Sequence, residues 1–337
     1  MRITTTGHYA GLGLPQFSYT KGLHELGNGS FAWLQPDGGW GWSNAGLITD
    51  SGESLLIDTL YDMTLTADML AVMRDAAPAA KSIGTIINTH ANGDHCNGNG
   101  CCPQADIIAS KTAAAEQEEE SPAMMAALLE QADDMGALGA YFKQAFGAFD
   151  FAGVERRLPT RLFEDKLTIS VGTRPLDLIE VGPAHTRGDV LVHDKTAKTV
   201  YSGDILFIEG TPICWAGPIS NCIAACETIL SLEPELIVPG HGPITDRRGV
   251  QAVIGYLTYI RDEARILWDQ GVRDVLTAAQ EIALGDFDSW GDAERIAINV
   301  STLFRDFEAE ATGTRPDRPN PAELFGLMAT IHNARAS

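Results

Sequence analysis

The chain has 337 residues, 45% of them hydrophobic and 20% charged, and its 45 Asp and Glu against 24 Lys and Arg leave a formal net charge of −21. That length suits one large domain or two modest ones with a substantial buried core. The acidic surplus repels phosphate backbones and anionic bilayers, and no stretch approaches the roughly 20 apolar residues that span a membrane, so neither nucleic acid nor membrane is expected as a partner.

Residues 1–19 lack a basic segment followed by an apolar one, so no secretory signal is expected and the compartment is read as cytoplasmic. The six cysteines include no CxxC pair, in keeping with a reduced protein. Apolar runs at 45–49 and 54–58 flank the turn residues Asp50, Ser51 and Gly52, which predicts a hairpin. A helix follows at 63–76. The β-branched run SIGTIIN at 82–88 predicts a strand that ends in a polar loop. The acidic stretch 116–120 reads as a solvated helix face. Ser121 and Pro122 supply an N-cap and a first-turn proline for another helix. Behind them Met124, Met125, Leu128, Leu129, Ala132 and Met135, then Phe142, Ala145, Phe146 and Phe149, recur at helical spacing. Such a stripe packs into a core or walls an adaptable substrate pocket.

Alternation over 166–171 predicts a half-buried strand, and 190–192 with 199–201 form a second hairpin. Residues 219–232 read as a helix carrying buried thiols at Cys222 and Cys226, and 236–238 as the last strand. Val250, Val253, Ile254, Leu257, Ile260, Ala264 and Leu267 mark a long amphipathic helix; Ile296, Val300, Leu303, Phe304 and Phe307 mark a second. Asn320 and Pro321 start a third. With no His or Cys ligand pattern, these helices are expected to pack on the main domain or on a partner subunit without chemistry of their own. Strands alternating with helices predict an α/β protein.

The chemistry concentrates in Thr89-His90-Ala91-Asn92-Gly93-Asp94-His95, directly after the SIGTIIN strand. Imidazole and carboxylate are the donors that zinc or iron takes. Further candidates follow predicted strands: Asp58 in LLIDTL, His185 in VGPAHTRGD, Asp204 in VYSGDILF and His241 in IVPGHG. His8, His24, His193 and His332 lack such contexts and read as surface or structural residues.

This ordered set resembles the metallo-β-lactamase-fold hydrolase superfamily over roughly residues 28–248. The resemblance implies a four-layer αβ/βα sandwich with a dinuclear site at the mouth between two sheets. It implies a metallo-β-lactamase-like domain at 1–248, with a helical insertion at 111–160, and a helical extension at 249–337. One metal would be held by His90, Asn92 and His185, the other by Asp94, His95 and His241, with Asp204 bridging and Asp58 orienting a ligand from behind. The family's HxHxDH motif is HxNxDH here, and a neutral amide is a weaker ligand than imidazole. The expectation is zinc in one tight and one weaker site, with iron or manganese as alternatives.

The implied activity is attack by a metal-activated hydroxide on the carbonyl of an ester, thioester, lactone or amide, with Asp94 or Asp204 taking or relaying the proton. Trp40, Trp42 and Trp215 are candidate walls for an apolar small-molecule substrate, and Arg187 is a candidate anion contact. A mononuclear-iron dioxygenase or other oxidoreductase of the same fold, and a true or promiscuous β-lactamase, are the competing readings. The C-terminal helices are candidates for a homo-oligomer contact.

Overall fold

The computed structural model describes residues 9–336; His8 and the first eight residues of the stretch read for a signal lie outside the described residues. A seven-stranded sheet contains β1 (Gly22–Gly27), β2 (Ser30–Leu34), β3 (Ala45–Asp50), β4 (Glu53–Ile57), β5 (Thr85–Ile87), β6 (Asp106–Ser110) and β7 (Arg161–Phe163) in sequence order. Its first four strands are antiparallel, and β4 through β7 run parallel. A five-stranded sheet contains β8 (Lys166–Val171), β9 (Arg174–Glu180), β10 (Val190–Asp194), β11 (Thr199–Tyr201) and β12 (Leu236–Val238), with β11 and β12 parallel and the remainder antiparallel.

The period-2 rule of the strand sorts each apolar run between two cores. Ile48, Leu55, Ile57, Ile87 and Ile108 of the first sheet meet Leu178, Val190, Val192, Tyr201 and Val238 of the second, which fills the space between the sheets. The intervening residues Leu47, Leu56, Ile86 and Ile107 turn outward onto Met69, Leu70 and Met73 of α1 (Met63–Ala76). Burial on both faces explains why these strands read as continuous apolar runs. The β3–β4 hairpin closes as expected, because Ser51 and Gly52 both take positive φ, the backbone a tight two-residue turn needs.

A short helix α2 (Gly93–Cys96) follows β5. Three helices, α3 (Lys111–Glu119), α4 (Pro122–Gln131) and α5 (Gly136–Phe146), lie between β6 and β7. Ser121 caps α4 by accepting from the Met124 amide at 3.2 Å, as its sequence predicts. The outer face of the second sheet, through Leu191, Val200 and Ile237, packs on α6 (Ile219–Ser231), α7 (Arg247–Asp269), α8 (Val275–Glu281), α9 (Ile296–Thr312) and α10 (Pro321–Ala336). Helix, sheet, sheet and helix make four layers. Among the described residues no helix is long and apolar enough to cross a membrane.

A buried charged network ties the two sheets together. Arg174 on β9 donates from Nε to Asp194 Oδ1 on β10 at 2.9 Å, and Ser30 on β2 donates to Asp194 Oδ2 at 2.8 Å. Removing one member of a buried pair leaves the other charge without compensation. Arg174→Met is therefore expected to lower stability by about 3–5 kcal/mol, read by urea unfolding; a loss below about 1 kcal/mol would mean the network contributes no more than a surface pair.

Candidate metal centre

The parallel pairs β4–β5 and β11–β12 place four strand ends on one edge of the sandwich. Asp58 follows β4, the HxNxDH loop follows β5, Asp204 follows β11 and His241 follows β12. His185 arrives on the loop between β9 and β10. Backbone without a side chain permits one close approach here: a Cβ at residue 240 would run into Asp204 Oδ1, so glycine in the PGHG turn is a steric requirement.

The structure gathers the candidates into two groups, His90 with His185 and Asp204, and Asp94 with His95 and His241, the donor atoms of each lying within 4.8 Å of one another. Asp204 lies between the groups. Its Oδ2 is 3.7 Å from His90 Nε2, 3.4 Å from His185 Nε2 and 3.4 Å from His241 Nε2, and its Oδ1 is 3.1 Å from His95 Nε2. Asp94 Oδ2 is 3.3 Å from His241 Nε2 and 3.8 Å from His95 Nε2. Two donors each about 2.1 Å from one tetrahedral ion stand about 3.4 Å apart, so these spacings fit ligands around shared cations.

The hydrogen bonds behind the rings decide which nitrogen faces inward. His185 Nδ1 donates to the Ile213 carbonyl at 2.6 Å, and His241 Nδ1 to the Gly38 carbonyl at 3.0 Å. His95 Nδ1 donates to Asp58 Oδ2 at 2.9 Å; His90 Nδ1 lies 3.0 Å from the Thr89 hydroxyl, which itself donates to Asp58. Each ring thus spends its Nδ1 proton on an oxygen and turns Nε2 to the centre, the orientation a ligating histidine needs. His90 Nε2, His95 Nε2 and Asp204 Oδ1 are buried with no hydrogen-bond partner among the described residues. Buried polar atoms left without a partner are costly, and a cation bound between them would satisfy them.

Electrostatics agree. Burial, and after it the His95 charge, holds His90 well below its usual range, which leaves it neutral. Burial opposes protonation of His95 and His241 as well, but the Asp204 and Asp94 carboxylates outweigh it, taking His241 up to about 9 and His95 well above its normal value. The carboxylates demand positive charge, which a divalent cation could supply in place of those protons.

Asp58 sits behind the centre with a left-handed backbone, φ +60°, and accepts from the Thr89 amide at 2.7 Å as well as from His95. It holds two ligand-bearing segments in place, and Asp58→Ala is expected to weaken cation affinity about 10–100-fold, measured by competition with a chromophoric chelator. Asn92 is half-buried with Nδ2 3.1 Å from His185 Nε2. Because His185 Nδ1 holds the ring's proton, the amide donates to the lone pair that a cation would use. Asn92→His is expected to raise the ion content toward two per chain by elemental analysis; equal content in both proteins would show that the asparagine is no handicap.

Above the centre opens a cleft of about 590 Å³. Trp40 and Trp215 line it, joined by Met124, Leu128, Phe142 and Phe146 from α4 and α5 and by Phe325 from α10. The Met and Phe stripe therefore does both of its candidate jobs, packing and pocket wall. Trp42 and Arg187 are not among the lining residues: Trp42 packs on Phe149 at 4.9 Å, and Arg187 pairs with Glu116 and Glu119. Two arginines line the cleft instead, Arg295 and Arg318, in a region whose sequence pattern predicts packing helices. Arg295 is 1% exposed, bound to Asp292 at 2.8 Å and lying 4.4 Å from the Trp40 ring. His24, His193 and His332 belong to neither donor group.

The metallo-beta-lactamase superfamily profile matches residues 38–241. The human protein named acyl-coenzyme A thioesterase MBLAC2 is 34% identical over 89 residues, which is 25% of this chain and 31% of that one. Its Gallus gallus counterpart is 32% identical over 89 residues, with the same coverage of both chains. The matched stretch thus spans less than a third of these relatives. Among solved structures, a metallo-beta-lactamase from Pontibacter korlensis aligns at TM-score 0.53 and 14% identity over 71% of this chain and 99% of its own. A double mutant of the sec-alkyl sulfatase PisA1 aligns at TM-score 0.64 and 14% identity over 90% of this chain and 52% of its own.

Proposed function

We propose, on the premise that the chain belongs to the metallo-beta-lactamase superfamily, that it is a zinc-dependent hydrolase of an ester or thioester with an apolar acyl group. The observation that carries this reading is the convergence of four histidine Nε2 atoms and two carboxylates at the floor of an apolar cleft. The thioesterase name of the partially matching relatives supports the choice of acyl substrate. The six thiols, all free, support a reducing cytoplasmic compartment.

His90, His185 and Asp204 would hold one ion, and Asp94, His95 and His241 the other, with Asn92 leaving the first position the weaker of the two. When bound, zinc supplies an acidified water and polarises a carbonyl oxygen. Asp94 and Asp204 are the groups placed to accept the proton released in attack. Asp94 is the more open to the cleft, its side chain 10% exposed against 3% for Asp204. Without a metal the charges of His95 and His241 outweigh its burial and keep the Asp94 carboxyl ionised, a role a bound cation would take over. Trp40, Trp215, Phe142 and Phe146 exclude water from the acyl group and orient its carbonyl toward the floor.

A second reading has one observation in its favour. His90, His185 and Asp204 form a set of two imidazoles and a carboxylate, which also suits mononuclear non-haem iron. A panel of ester, thioester, lactone and lactam substrates with defined zinc, manganese and iron separates the readings. Zinc-supported thioester or ester hydrolysis without oxygen uptake is the expected result; iron-dependent oxygen consumption would replace it with the oxidative one. Asp204→Asn is expected to lower kcat/KM by roughly 10²–10³-fold. Chelation of the wild type is expected to lower its melting temperature, because the buried carboxylates lose their counter-charge; an unchanged melting temperature would argue that no ion is held there.

A further inference from the structure

Helix α9 and the segment that follows it bring Arg305, Arg315 and Arg318 close together in a chain of net charge −21. Arg305 donates from Nε to the Pro316 carbonyl at 3.0 Å, and its Nη1 is buried without a hydrogen-bond partner among the described residues. Arg315 pairs with Asp306 at 2.8 Å and donates to the Ala216 carbonyl at 2.8 Å, which fastens the segment against the turn that carries Trp215. Arg318 is exposed, lines the cleft and makes no ion pair among the described residues; its guanidinium carbon stands 6.0 Å from the Trp215 ring.

The cleft also carries acidic residues. Glu116, Glu119 and Glu120 line it, the first two already engaged by Arg187. Of the three arginines only Arg318 lines the cleft itself, within electrostatic range of the Glu120 carboxylate. A guanidinium held against an aromatic face, with its fork open, is a donor array for oxyanions. Arg318 has no ion pair among the described residues to occupy those donors, and it stands where the apolar cleft meets solvent.

We propose that Arg318 is a specificity residue that binds an oxyanion of the substrate, while the apolar cleft holds its chain. The substrate class is then an anionic amphiphile with its reactive carbonyl between the two, such as an acyl thioester whose leaving group carries phosphate. This deepens the hydrolase reading above and rests on it for the position of the carbonyl.

Calorimetric binding of unreactive probes tests the assignment without turnover. An alkyl-coenzyme A thioether is compared with the same alkyl group on N-acetylcysteamine, which is uncharged, and dodecanoate with dodecan-1-ol. Wild type is expected to bind the anionic member of at least one pair about 10-fold more tightly, a difference of about 1.4 kcal/mol. Raising the salt concentration is expected to shrink that ratio. Arg318→Met is expected to bring it near one, and Arg318→Lys to retain part of it.

Preference in the coenzyme A pair places the anion on the leaving group, and preference in the dodecanoate pair places it on the chain itself. A ratio near one in wild type, a ratio untouched by Arg318→Met, or equal loss of both members of a pair overturns the proposal. Absence of hydrolysis of the acyl-coenzyme A thioester by zinc-loaded wild type would sink the underlying reading while leaving the binding ratio intact.

Discussion

Asp58, Asp94 and Asp204 are buried within a few ångströms of four imidazoles, and that concentration of negative charge sets the terms for the rest of the molecule. Burying a carboxylate without compensation is among the most expensive arrangements a protein can adopt. Each is answered by a specific partner: Asp58 by the Thr89 amide and hydroxyl and by His95, Asp204 by the rings around it, Asp94 by His241. The remaining demand for positive charge can be met by protons or by metal ions. The Nδ1 contacts to carbonyl and carboxylate oxygens prepare the rings for the latter.

The two sheets exist in this relation to hold that arrangement rigidly. Parallel neighbours β4 and β5, and β11 and β12, deliver their C-terminal ends to one edge, the position where open α/β sheets commonly place ligands. The inter-sheet core of Ile, Leu and Val and the buried Arg174–Asp194–Ser30 network keep those edges in register. The strained backbone at Asp58 and the glycine at 240 are local concessions to the same end. Above the edge, α4, α5 and α10 contribute apolar side chains that the sandwich itself lacks. Met124, 58% exposed at the rim, shows how little of α4 is buried in packing.

Much of this was legible in the chain. The donors at 58, 90, 94, 95, 185, 204 and 241 each follow an apolar run or punctuate a Gly- or Pro-containing loop, and the departure at Asn92 stood out against them. The β3–β4 hairpin and the helix start at Ser121 and Pro122 carried strong local signals. The strands β1 and β9 did not, because mixed polarity in GLHELG and the Pro and Asp inside RPLDLIE blur the alternation. The arginines of the cleft were invisible as a group. Arg295 and Arg318 lie far beyond the last motif, in turns beside helices whose apolar periodicity pointed only to packing.

Donor chemistry, its order and the layered α/β character were determined by the sequence itself, because strand periodicity and ligand type are local properties of residues and their near neighbours. Which ring nitrogen faces the centre, that Asn92 Nδ2 competes for His185, that Arg187 is spent on Glu116 and Glu119, and that Arg318 stands free at the mouth were decided only by tertiary structure. Each of these depends on an acceptor or a wall supplied by a distant segment, and sequence spacing carries no record of that distance once the chain has folded back on itself.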